Sequence, residues 1–165
     1  MGILNIIGTI TTIWGVITLL WVIVTWLTGL LPAILRLGNG LARRKISIFA
    51  KPDNLVSLRD LLIDSGLFWK ENVVEVTKKD DFGKSEGSTL FLVYWPDWKD
   101  EILQIRDKKR DNEALVIYAP KSKDPIPEEI MAELDKVRNV TVVNFRGRLL
   151  NDMVIGMITT GYTKK

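Results

Sequence analysis

The sequence predicts an α/β protein in which an N-terminal transmembrane helix precedes a five-stranded parallel, doubly wound sheet of order 2-1-3-4-5 with helices on both faces. Three observations carry this. No Asp, Glu, Lys or Arg occurs before Arg36, so the first segment is an uncharged stretch longer than the ~20 residues needed to cross hydrocarbon. After position 45, short runs rich in Val, Ile, Leu, Phe and Tyr alternate with amphipathic helical patterns, the rhythm of βαβ units. Four of the five strand-like runs are almost continuously apolar, as strands covered on both faces must be. The 165 residues suffice for one ordinary domain plus an appendage. The predicted division is 1–35 for the membrane segment, 36–45 for a basic juxtamembrane linker and 46–165 for the α/β domain.

The uncharged run from Ile3 to Leu35 is interrupted only by Gly, Thr, Asn5, Trp and Pro32. Its spanning part is expected at Ile6–Leu27, with Gly29 and Pro32 ending or bending the helix. A cleaved signal peptide would need a charged n-region, a short apolar h-region and a small-residue cleavage site; the run has none of these, so a retained single-pass anchor is expected. Arg36, Arg43, Arg44 and Lys45 all follow the span and nothing basic precedes it. Basic flanks favour the cytoplasmic side, so the expectation is an inner (plasma) membrane protein with its N-terminus outside and its C-terminal domain in the cytoplasm. Thr11, Thr18 and Thr25 recur every seven residues, beside Gly8, Thr12 and Gly15. Such a small, weakly polar stripe lets helices approach closely, which points to self-association of several copies and to a narrow pore between them. A lone anchor whose Thr hydroxyls bond their own backbone is the plainer reading. Trp14, Trp21 and Trp26 read as lipid-facing or interfacial anchors. In the linker, Gly38 and Gly40 around Asn39 break a continuous helix, and Arg43, Arg44 and Lys45 fall at headgroup level.

The strand-like runs are Lys45–Ala50, Asn72–Thr77, Thr89–Trp95, Ala114–Ala119 and Val140–Phe145. Asp53 or Asn54 is expected to cap a first helix carrying Leu55, Leu58 and Leu62 and ending at Gly66. The eleven residues from Lys78 to Ser88 can hold only a short helix near Asp80–Ser85. Asp97 is expected to start a helix with Trp98, Ile102 and Ile105 inward. Pro127 suits the first turn of another with Ile130, Met131, Leu134 and Val137 on one stripe. Gly147–Thr160 closes the chain, with Leu149, Leu150, Met153, Val154, Met157 and Ile158 at helical spacing.

Composition removes several chemistries. The chain has no Cys and no His, which excludes within one chain a Ser-His-Asp triad, a Cys nucleophile and Cys/His metal ligation. Of 23 basic and 20 acidic residues, taking away the four at the membrane junction leaves 19 against 20. The domain is therefore near neutral, and nucleic acid is not an expected partner. Neither a G-x-G-x-x-G nor a P-loop pattern is present, so dinucleotide cofactors and ATP hydrolysis by a P-loop are not expected; no cofactor and no metal is assigned, while carboxylate chemistry and Mg²⁺ binding through Asp or Glu stay open.

In doubly wound sheets ligands bind beyond the carboxyl ends of the strands, beside the order reversal. Order 2-1-3-4-5 selects the loops after strands one and three: Lys51, Pro52, Asp53 and Asn54, and Tyr94, Trp95, Pro96, Asp97 and Trp98. Beside them fall Tyr118, Lys121 and Lys123, then Asn144, Arg146 and Arg148. Lys51, Asp53, Tyr94, Trp95, Trp98, Tyr118, Lys121, Arg146 and Arg148 form the candidate ligand set. Cations hold phosphate and aromatic rings stack on a base, which suits a nucleotide-like signal. Solvated charges and tryptophans packed on their neighbours are the plain alternative.

The strand–helix order resembles the flavodoxin-like families, including response-regulator receivers and TIR-like domains, over residues 45–162. A receiver needs paired acids after strand one, an acceptor Asp ending strand three and a Lys ending strand five. Here strand one ends in Ala50-Lys51, Asp97 lies past strand three behind a Pro, and strand five ends near Arg146, so phospho-acceptor chemistry is not expected. Trp98 and Glu101 are similar to the Trp and Glu of TIR-like domains, at a spacing of three where the family usually has four; the resemblance implies a membrane-tethered NAD-cleaving enzyme using Glu101 as an alternative. The whole layout resembles small membrane effectors of bacterial anti-phage signalling. That resemblance implies a non-enzymatic, oligomeric sensor–effector whose domain binds a nucleotide second messenger or a partner protein and whose spans then alter permeability. A scaffold that recruits a protein partner is the third reading.

Overall fold

The structure, a computed structural model, describes residues 2–31, 38, 43–121 and 124–160. The bend expected at Pro32, the charge of Arg36, the break at Asn39 and Gly40, and Lys123 lie outside the described residues. The chain divides into two units, Met1–Gly40 and Leu41–Lys165.

In the first unit α1 (Gly2–Thr25) runs into a π-helical turn, Trp26–Leu30. Within it Ile7–Gly29, 23 residues of mean hydropathy 2.1, is long and apolar enough to cross a membrane. Of the two outcomes expected at Gly29, ending or bending, the helix does not end there: Gly29 falls in the π turn. The π turn absorbs it, with the Leu31 N–H on the Trp26 carbonyl, so the backbone groups stay paired internally. The threonine hydroxyls turn inward on their own helix. Thr11 donates to Ile7 and Gly8 at 3.1 and 2.9 Å, Thr12 to Gly8 at 2.8 Å, Thr18 to Trp14 at 2.9 Å and Thr25 to Trp21 at 2.8 Å. With their donors satisfied, what they present outward is a methyl group. The space over Gly8 and Gly15 is open.

The second unit is built on β1 (Ile46–Phe49), β2 (Val73–Val76), β3 (Leu90–Tyr94), β4 (Ala114–Tyr118) and β5 (Val140–Val143). They form one sheet of order β2-β1-β3-β4-β5, all parallel, as predicted. Strand parity divides the core. Ile46, Ile48, Leu90, Leu92, Tyr94, Ala114, Val116 and Tyr118 face one side; Phe49, Phe91, Val93, Leu115 and Ile117 face the other. The first side is covered by α2 (Pro52–Asp64), through Leu55, Leu58 and Leu62, and by the last helix, Arg146–Thr160, through Leu149, Met153 and Met157. In that helix Gly156 carries the close approach: a Cβ there would stand 3.3 Å from the Ala114 Cβ. The second side is covered by one short helix, α3 (Trp95–Trp98), then by α4 (Ile102–Lys108) and α5 (Glu128–Asp135). Numbered in sequence, the last helix is α6. Ser47 and Ser88, both buried, satisfy each other at 2.7 Å.

Three helix starts differ from expectation. Lys51 occupies the N-cap of α2 with Pro52 behind it, and neither Asp53 nor Asn54 caps the helix. α3 begins at Trp95 rather than Asp97, with Pro96 in its first turn, where a missing N–H costs nothing. Pro127 is the N-cap of α5, extended at ψ 145°, and Glu128 and Glu129 fill the first turn.

Candidate functional site

The α2 N-terminus is organised from a distance. The Asp97 carboxylate accepts the Lys51 backbone N–H at 2.8 Å and the Asn54 side-chain amide at 3.0 and 3.2 Å. One acidic side chain thus ties the loop after β1 to the loop after β3, across the order reversal. It also sets a negative charge at a helix start, where the dipole favours it.

Beside this tie lies a cavity of about 230 Å³ lined by Asn54, Ser57, Leu58, Tyr94, Tyr118, Pro120 and Arg146. Its floor is the pair Tyr94 and Tyr118, 6% and 8% exposed, with tilted rings 5.8 Å apart. Neither tyrosine hydroxyl has a hydrogen-bond partner among the described residues. The buried side-chain atoms without a partner among the described residues are the indole nitrogens of Trp95 and Trp98, not these oxygens; the hydroxyls are within reach of water or a ligand. Arg146, the first residue of α6, is one of the lining residues. One guanidinium nitrogen donates to the Ser57 carbonyl at 2.8 Å, which orients the fork and leaves its other donors for an anion. The Asn54 amide nitrogen is committed to Asp97, so its oxygen is the acceptor left for the cavity. The space suits one flat ring or one phosphorylated sugar; it is smaller than the ~300–1,000 Å³ of most small-molecule sites, so a larger ligand would extend outside.

Of the predicted ligand set, the structure brings Tyr94, Tyr118 and Arg146 together at this cavity. Lys51 and Asp53 stand exposed at the start of α2. Lys121 lies over the Phe145 ring at 4.9 Å and lines a separate hollow of about 200 Å³ with Asp124, Met131 and Asn144. Arg148 points to Asp152 at 3.8 Å and is largely solvated. Trp95 and Trp98 require correction. They are 2% and 3% exposed and belong to the core of the second sheet face. Parity puts residue 95 on the side of Phe91 and Val93, and the α3 turn carries Trp98 beneath the sheet, where its ring meets Phe49 edge-on at 5.6 Å and Phe82 at 5.5 Å. Both indole N–H groups are buried without a partner among the described residues.

Glu101 lies apart from the cavity. Its carboxylate, 13% exposed, pairs with Lys79 at 2.7 Å; this hydrogen bond, ahead of the charge attraction, raises the Lys79 pKa above its ordinary value. Ser57 and Pro120 are lining residues that the loop argument did not reach. A signal for Ser57 existed: it falls one helical turn after Asn54, with Leu58 beside it. The described residues contain no group of three or more acidic side chains able to hold a metal ion.

Comparison with known protein families, curated proteins and solved structures found no match to this chain. Its class is set by the fold: an α/β protein with a parallel five-stranded sheet of flavodoxin-like order, preceded by one apolar helix of membrane-spanning length.

Proposed function

We propose that this protein is a membrane-anchored sensor and effector. The α/β unit binds a small anionic, nucleotide-like ligand in the cavity at the order reversal, and the apolar helices of several copies associate and alter membrane permeability in response. The observation that carries the reading is the conjunction of two cavity-lining tyrosines, whose hydroxyls make no hydrogen bond among the described residues, with a pre-oriented arginine beyond the carboxyl ends of β1 and β3. Arg146 supplies bidentate recognition of a phosphate, and the tyrosines supply hydrogen bonds and an aromatic floor. In the cell the span sits in the inner membrane with the basic junction and the α/β unit on the cytoplasmic side.

AMP is a suitable first probe, titrated calorimetrically into the full chain held in lipid nanodiscs. Arg146→Gln is expected to weaken binding at least about tenfold, the loss of one charge-assisted contact. Equal heats from the two proteins, or none from either, would remove mononucleotides as ligands of this cavity.

Association of the spans is read separately. The full chain is expected to run as an oligomer in detergent by light scattering. Thr11→Leu, Thr18→Leu and Thr25→Leu together should shift it toward monomer, because bulk replaces the surface over which Gly8 and Gly15 allow close approach. An unchanged oligomer would take the stripe out of the interface. The NAD-cleaving alternative has less support, since Glu101 is engaged by Lys79 and does not line the cavity.

A further inference from the structure

Among the described residues of the α/β unit, five large apolar side chains are more than two-fifths exposed: Val56, Leu67, Trp69, Phe145 and Ile155. Leu67 and Trp69 stand out because they flank Phe68, which is 4% exposed and anchored in the core under α2. The loop is held in this out–in–out arrangement by its own bonds. Ser65 Oγ donates to the Leu62 carbonyl at 2.6 Å and accepts the Leu67 N–H at 3.2 Å, Gly66 takes the left-handed turn at φ 67°, and the Trp69 carbonyl accepts the Asn72 N–H at 3.0 Å. A fixed loop thus displays an indole and a leucine to the surroundings.

The register shows which edge of the sheet this is. The loop leads directly into β2, whose Val73 pairs with Ile46, the first residue of β1. Leu67 and Trp69 therefore lie on the amino-terminal edge, where Arg43, Arg44 and Lys45 lead the chain into the sheet. Arg43, Lys45 and Lys70 are exposed cations here; Asp64, Glu71 and, just before the Thr89 that bonds the Lys45 carbonyl, Glu86 are exposed acids of the same edge.

We propose that this edge docks on anionic lipid headgroups, with Leu67 and Trp69 seated at the interface and Arg43, Lys45 and Lys70 on lipid phosphates. The inference rests on the reading of Ile7–Gly29 as a membrane span. Tryptophan beside basic residues is the composition that prefers the bilayer interface. Two apolar side chains are far too little for a stable protein–protein contact, which buries roughly 1,200–2,000 Å². They suffice for interfacial docking of a unit already tethered to the same bilayer, where attachment supplies the effective concentration.

The absence of cysteine makes the test direct. Single variants Trp69→Cys, Asp53→Cys and Thr18→Cys of the full chain each carry one fluorophore in vesicles of phosphatidylcholine and phosphatidylserine doped with a lipid-borne quencher. The probe at 69 is expected to be quenched several-fold more than the probe at 53, which lies on the opposite edge, and Arg43→Glu with Lys70→Glu should reduce that quenching. Equal quenching at 69 and 53 with strong quenching at 18 overturns the docking and leaves the span intact. No quenching at 18 overturns the span reading and the docking with it. Efficient disulfide formation between two unlabelled Trp69→Cys chains, with 69 shielded from lipid, assigns the loop to a second copy and overturns the proposal.

Discussion

Trp98→Ala is expected to destabilise the α/β unit by about 4 kcal/mol, the usual cost of truncating a buried aromatic side chain to a methyl group. The indole fills the space between Phe49 and Phe82 on the second sheet face, and nothing in α3, a single turn ended by the 3-10 turn Lys99–Glu101, is long enough to collapse into the hole. Trp98→Phe separates volume from polarity. It removes part of the ring area but also the buried N–H that has no partner, and a buried unpaired donor costs about 1–3 kcal/mol. The two effects oppose each other, so Trp98→Phe should lie within about 1 kcal/mol of the parent. Urea unfolding of the full chain followed by circular dichroism of the domain measures both. A near-neutral Trp98→Ala would return this residue to the surface and to the ligand set.

Asp97→Ala is expected to cost about 2 kcal/mol and to loosen the cavity locally. The substitution strands the Lys51 N–H and the Asn54 amide together, and hydrogen bonds to a charged acceptor are the stronger kind. Asp97→Asn keeps one acceptor oxygen but turns an amine toward one of the two donors, so it should fall between alanine and the parent. The informative measurement is hydrogen exchange at the Lys51 amide, which should accelerate in Asp97→Ala well beyond the change in global stability. If the amide at 51 exchanges only in step with the rest of the sheet, Asp97 does not organise the α2 start.

The fold was readable because buried parallel strands leave few alternatives. Runs such as Leu90–Tyr94 and Ala114–Tyr118 are apolar at every position, and the short connection before Leu90 against helical ones elsewhere agrees with the observed order. The position of the candidate cavity was readable in outline, because an order reversal selects two loops before any side chain is considered. Tyr94 and Tyr118 fall on it by strand parity. The same parity argument, carried one residue further along Phe91 and Val93, takes Trp95 out of the rim; exposure cannot be inferred from loop membership when the loop begins as a helix. The role of Asp97 was not legible, because an acceptor supplied from 46 residues away leaves no local spacing to read. Arg146 was legible as a cation near the rim but not as the residue tied to Ser57, which depends on how α2 and α6 lie side by side.

The last helix joins two places that are distant in the sheet. At its first residue the guanidinium of Arg146 holds the cavity opening against Ser57. Near its other end the Met157 carbonyl receives the Arg44 guanidinium, two residues before β1 begins. Fifteen helical residues make a strut of about 22 Å, and Gly156 lets it rest almost directly on β4. Such a rod is stiff along its axis, so the Arg146 contact with Ser57 and the Met157 contact with Arg44 are held at a fixed separation, the two ends of one lever.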